Sequence, residues 1–68
     1  MSTTQTYTVT GMTCGHCVAS VTEEVQEIPG VENVDVVLET GRLTVTSHEP
    51  VDAARVKTAV EDAGYQLA

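Results

Sequence analysis

Neither tryptophan nor phenylalanine occurs in this chain, and Tyr7 and Tyr65 are its only tyrosines. The apolar residues are mostly Val and Ala, which suit strands and thin helix–sheet packing. They do not suit a large enclosed substrate pocket, whose walls are chiefly bulky and apolar. Basic residues are also scarce. Arg42, Arg55 and Lys57 stand against ten acids, for a net charge of −7. Nucleic acid and anionic membrane surfaces are therefore poor partners, since both are bound through clustered Lys and Arg. A cation, or a protein with a basic docking face, meets a favourable field.

Long hydrophobic runs are missing as well. No window approaches the roughly 20 apolar residues of a membrane span, so direct membrane insertion is not expected. No basic stretch followed by an apolar one stands near Met1, so no secretory leader is visible. The expected location is cytoplasmic, where thiols stay reduced and two cysteines seldom form a permanent disulfide. Residues 1–68 are expected to form one domain with a small core and little stability to spare. An apolar content of 41% is enough for that domain to fold.

What is present is ordered by period. Thr6–Thr10 alternates, with Tyr7 and Val9 on one face and threonines on the other, as in a half-buried strand. From His16 the step changes: Val18, Val21, Val25 and Ile28 recur every three or four residues, which predicts an amphipathic helix ended by Pro29-Gly30. Val31–Glu39 and Arg42–Ser47 return to alternation. A two-residue turn at Thr40-Gly41 would pair Glu39 with Arg42 and Leu38 with Leu43, keeping the apolar residues of both strands on one face. Asp52 reads as the cap of a second helix, with Val51 and Val56 as a hydrophobic staple. Its buried stripe would be Ala53, Val56, Ala59, Val60 and Ala63, with Gly64 as the break and Tyr65–Leu67 as a short closing strand.

The order β-α-β-β-α-β predicts an α+β, ferredoxin-like sandwich: a four-stranded antiparallel sheet with two helices on one face. In that topology Cys14, Cys17, Gly64 and Tyr65 share one end. His48 falls at the other end, roughly 15–20 Å away at 1.5 Å rise per helical residue, so it reads as a solvated loop histidine.

Cys14 and Cys17, the only cysteines, therefore sit in a loop and in the first turn of a helix, near the surface. Unpaired N–H groups and the dipole there favour thiolates, the form that binds metal. Structural zinc needs four ligands, and this chain offers one pair. A thiol–disulfide oxidoreductase remains open, although Gly15 and His16 separate the cysteines without a proline. Two thiolates with no further compulsory ligand suit Cu(I), a soft ion that accepts low coordination. Such a site fits a carrier and lacks the machinery of an enzyme.

The stretch GMTCGHC, Gly11–Cys17, resembles the Gly-Met-x-Cys-x-x-Cys signature of the heavy-metal-associated domain family. VEDAGYQ, residues 60–66, is similar to that family's closing segment, and the element order covers nearly the whole chain. The full chain looks like the family's free-standing bacterial copper chaperones. The resemblance implies that Cys14 and Cys17 bind Cu(I) and pass it to the metal-binding domain of a copper-transporting P-type ATPase. It implies a monomer without metal, leaves a copper-bridged dimer open, and leaves Hg(II), Zn(II) or Cd(II) as alternative ions. Met12 matches a buried anchor beneath the loop rather than a thioether ligand. His16 either tunes the thiolates, joins a shared metal, or simply faces solvent. Tyr65 matches a tyrosine beside the metal loop, where it shields the sulfurs, closes the core, or does both.

Overall fold

The computed structural model describes residues 2–13 and 15–68. Its elements are β1 (Thr3–Thr10), α1 (Gly15–Gln26), β2 (Val31–Val37), β3 (Arg42–Ser47), α2 (Ala53–Asp62) and β4 (Gln66–Leu67). The four strands form one antiparallel sheet in the order β2-β3-β1-β4. This is the ferredoxin-like sandwich that the periodicities predict. Val21 and Val25 of α1 and Val56, Ala59 and Val60 of α2 meet Val9, Val34, Leu43 and Val45 of the sheet in one core. The opposite sheet face carries Thr4, Thr6, Thr8 and Thr10, all exposed, so both helices cover the same side.

Strand β1 starts three residues earlier than the alternation suggests, adding Thr3 and Gln5 to its inward row. Helix α1 follows the predicted stripe, except that Val18 is only half-buried while Cys17 is buried. In α2 the Asp52 cap is present: its carboxylate accepts from Ala54 N–H at 2.9 Å, and Val51 and Val56 both pack into the core. Ala53, placed in the buried stripe by its spacing, is exposed, because it lies at the helix start beyond the reach of the sheet.

The β2–β3 hairpin differs from expectation. Val37 pairs with Arg42 and Val36 with Leu43, a shift of two residues along β2, and residues 38–41 form the loop. A two-residue turn needs positive φ at its first central residue, which would be the β-branched Thr40. Instead only Gly41 adopts it, at φ +73, and its N–H closes the loop on the Val37 carbonyl at 2.8 Å. A shift of two preserves which side chains face the core. A bulge between Val31 and Asn33 then turns Val31 inward too.

Candidate metal centre

The cysteine motif begins where β1 ends. Gly11 takes φ +89, a left-handed conformation that glycine adopts at low cost, and redirects the chain off the sheet. Met12 is half-buried and packs against the core, in keeping with an anchor beneath the loop. Helix α1 opens at Gly15, and its first turn contains no acidic residue. That end of α1 therefore presents the positive pole of the helix without a competing carboxylate. Cys14, the first of the two cysteines, lies outside the described residues.

Cys17 departs from expectation. It is only 7% exposed, whereas the loop-and-turn placement suggests a surface group. It lies one turn before the wholly buried Val21 on the sheet-facing side of α1. His16 is exposed, and its carbonyl accepts from Ser20 Oγ at 3.1 Å. Among the described residues no group of three or more His, Cys, Asp or Glu side chains is placed to hold a metal ion.

Tyr65 reaches the same end through the close of α2. Gly64, at φ +96, donates its N–H to the Glu61 carbonyl at 2.9 Å, and Tyr65 N–H donates to the Val60 carbonyl at 3.1 Å. These two bonds form a Schellman stop, which requires a left-handed residue at position 64. The stop turns the Tyr65 ring onto the start of the motif. A β-carbon on Gly11 would lie 3.7 Å from Tyr65 Cδ1, and the ring also packs on the core. The Thr10 hydroxyl donates to the Gln66 carbonyl at 3.2 Å, tying the same two segments again.

His48 stands elsewhere. Its N–H donates to the Gly30 carbonyl at 3.1 Å, beyond the C-terminal end of α1. Twelve helical residues at about 1.5 Å each separate the two ends of α1. Two surface grooves among the described residues lie away from the motif. One runs between α1 and α2 past Glu24, Glu27, Arg55 and Asp62, and the other lies around Pro29, His48 and Pro50.

The heavy-metal-associated domain model matches residues 6–66. The chain belongs to the heavy-metal-associated domain family. The copper chaperone CopZ of Staphylococcus aureus (strain JH9) is 40% identical over 60 residues, spanning 87% of this domain and 88% of CopZ. Copper-transporting ATPase 1 of Rhizobium meliloti (strain 1021) is also 40% identical, over 63 residues. There the match takes in 93% of this domain and only 8% of the ATPase. Among solved structures, a CopZ metallochaperone superposes at a TM-score of 0.90 and 36% identity, covering 97% of this chain and 100% of its own. Oxidised MerP from Ralstonia metallidurans CH34 does so at 0.87 and 33%, covering 100% and 96%.

Gly41 at this end, and Gln5 at the opposite end beside Val51, are absent from the sequence-based site. Gly41 reads from sequence only as a turn glycine, although its backbone touches β1 just before the motif. Gln5 lies in the polar start of the chain, before the alternating stretch. A polar residue on the inward row of a strand is the signal that could have drawn attention to it.

Proposed function

We propose that this heavy-metal-associated domain is a copper metallochaperone working as a single domain across residues 1–68, in the cytoplasm and without catalytic turnover. The observation that carries the reading is the similarity to a copper chaperone along 88% of that protein's length, with the Cys-x-x-Cys motif of this chain at the opening of α1. Cys14 and Cys17 thiolates hold one Cu(I) ion as cargo. Two thiolates and one monovalent cation leave a net charge of −1, which the positive pole of α1 offsets.

The receiving partner is the metal-binding domain of a copper-transporting P-type ATPase, a class to which one relative belongs. Transfer is ligand exchange. A partner thiolate forms a new Cu–S bond, a three-sulfur intermediate follows, and one original Cu–S bond breaks. Copper stays monovalent throughout, so no oxidant or reductant is consumed. The buried Cys17 suits the ligand that remains on copper during the first exchange. The metal-free chain is a monomer in this reading, and a copper-bridged pair forms only when two motifs share an ion.

The test is an anaerobic titration in which Cu(I) and Zn(II) chelators compete with the protein. Tight 1:1 Cu(I) binding that is lost in the Cys14→Ser/Cys17→Ser variant is the expected result. Preference for Zn(II), Cd(II) or Hg(II) would move the assignment to another soft metal. Insulin-reducing activity without tight metal binding would move it to a thiol–disulfide oxidoreductase.

A further inference from the structure

The loop between β2 and β3 touches the strand that leads into the cysteine motif. Val9 N–H donates to the Gly41 carbonyl at 2.7 Å, one residue beyond the last β1–β3 pair, Thr8 with Arg42. Gly41 is buried at φ +73, and a β-carbon built on it would overlap the Val9 carbonyl oxygen. That oxygen belongs to the backbone and cannot rotate away. On the other side of β1 lies the two-residue β4, paired through Val9–Leu67 and Thr10–Gln66, with Ala68 N–H donating to the Thr8 carbonyl at 2.8 Å. The end of β1 is therefore held between Gly41 and a very short strand. Gly11, Met12 and Thr13 follow at once.

We propose that Gly41 is a positioning residue for the metal loop. Its lack of a side chain lets the hairpin loop close on Val9, and this contact sets the direction in which β1 delivers Gly11–Thr13. The inference rests on the metal-binding reading above. Gly41 acts through the Val9 backbone.

The opposite end of the fold supplies a control. His48 N–H donates to the Gly30 carbonyl at 3.1 Å, and Gly30 is also left-handed, at φ +91. Open space surrounds the position of its would-be β-carbon. Gly30→Ala therefore carries the cost of a left-handed non-glycine residue alone, whereas Gly41→Ala adds a backbone collision beside the motif.

Cu(I) affinity is measured by chelator competition on the wild type, Gly30→Ala, Gly41→Ala and the Cys14→Ser/Cys17→Ser variant. Gly41→Ala is expected to weaken Cu(I) binding about tenfold or more, and Gly30→Ala by less than about threefold. Equal loss in the two glycine variants, or no loss in Gly41→Ala, overturns the proposal. A wild type without tight Cu(I) binding, or a double serine variant that keeps it, overturns the metal-binding reading and this inference with it. Should Gly41→Ala fail to fold, amide exchange on the wild type decides the matter. Cu(I) is expected to slow exchange at Val9 about tenfold more than at His48, the corresponding bond at the far end. Equal slowing at both amides overturns the proposal.

Discussion

The side chain of Gln5 is paired with the backbone of Val51. Its Nε2 donates to the Val51 carbonyl at 3.1 Å, and its Oε1 accepts from Val51 N–H at 2.8 Å. One amide side chain thus satisfies both main-chain groups of a buried residue, as a neighbouring strand would. The same Nε2 donates to the Tyr7 hydroxyl at 3.0 Å. The start of α2 is thereby attached to β1, across a stretch with no sheet pairing of its own.

Replacing Gln5 by Met keeps the length of the side chain and removes the hydrogen bonds. The Val51 N–H and carbonyl then lose these partners in a part-buried site. A loss of about 1–3 kcal/mol is expected in urea unfolding. An unchanged midpoint would show that water replaces the amide at no cost.

Asp52 caps the same junction, accepting from Ala54 N–H at 2.9 Å. Asp52→Ala is expected to cost about 1 kcal/mol, and Asp52→Asn much less, because asparagine caps nearly as well. Equal losses in the two variants would assign the effect to charge rather than to the cap.

Tyr7 lies beside this junction, and its hydroxyl is held above the ordinary tyrosine value of 10.0, first by burial and second by the Asp52 carboxylate. The neutral phenol is the form the fold prefers. Its contribution to stability is complete below the unfolded value near 10 and is lost as pH rises through the higher folded value. Alkaline difference spectra should show a tyrosine step above pH 10 that is missing in Tyr7→Phe. Both tyrosines titrating at the ordinary value in the folded protein would contradict this.

Leu43 is wholly buried at the centre of the sheet, between β2 and β1. Leu43→Ala is expected to cost about 2–5 kcal/mol. That rivals the whole stability of so small a domain, at about 0.05–0.15 kcal/mol per residue. Thermal unfolding should fall steeply or disappear, and a near-native midpoint would mean that the core closes over the gap.

Cu(I) affinity should decline as pH falls, because protons compete for the same sulfurs. Single Cys14→Ser and Cys17→Ser variants should each lose tight binding. Cys17→Ser should also lower the apo melting temperature, since the hydroxyl would enter a position only 7% exposed. Binding that is independent of pH, or a Cys17→Ser variant as stable as the wild type, would contradict these assignments.

Although Leu38, expected inward, lies exposed in the loop, the sequence by itself determined the element order, the inward placement of Tyr7, Val9, Val34, Val36, Leu43 and Val45, the Asp52 cap, the separation of His48 from the motif, and a Cys-x-x-Cys motif at a helix start. Each follows from short-range periodicity or from punctuation by Gly, Pro and Asp, which one segment carries unaided. The tertiary structure decided the two-residue shift of the hairpin, because a positive φ at Thr40 is a local cost that the wider loop avoids while keeping the same faces inward. It also decided the Gln5–Val51 pairing, the approach of Gly41 to Val9 and the burial of Cys17. Those depend on groups distant in sequence packing against one another, and no local pattern records which of two inward-facing residues will lose its water.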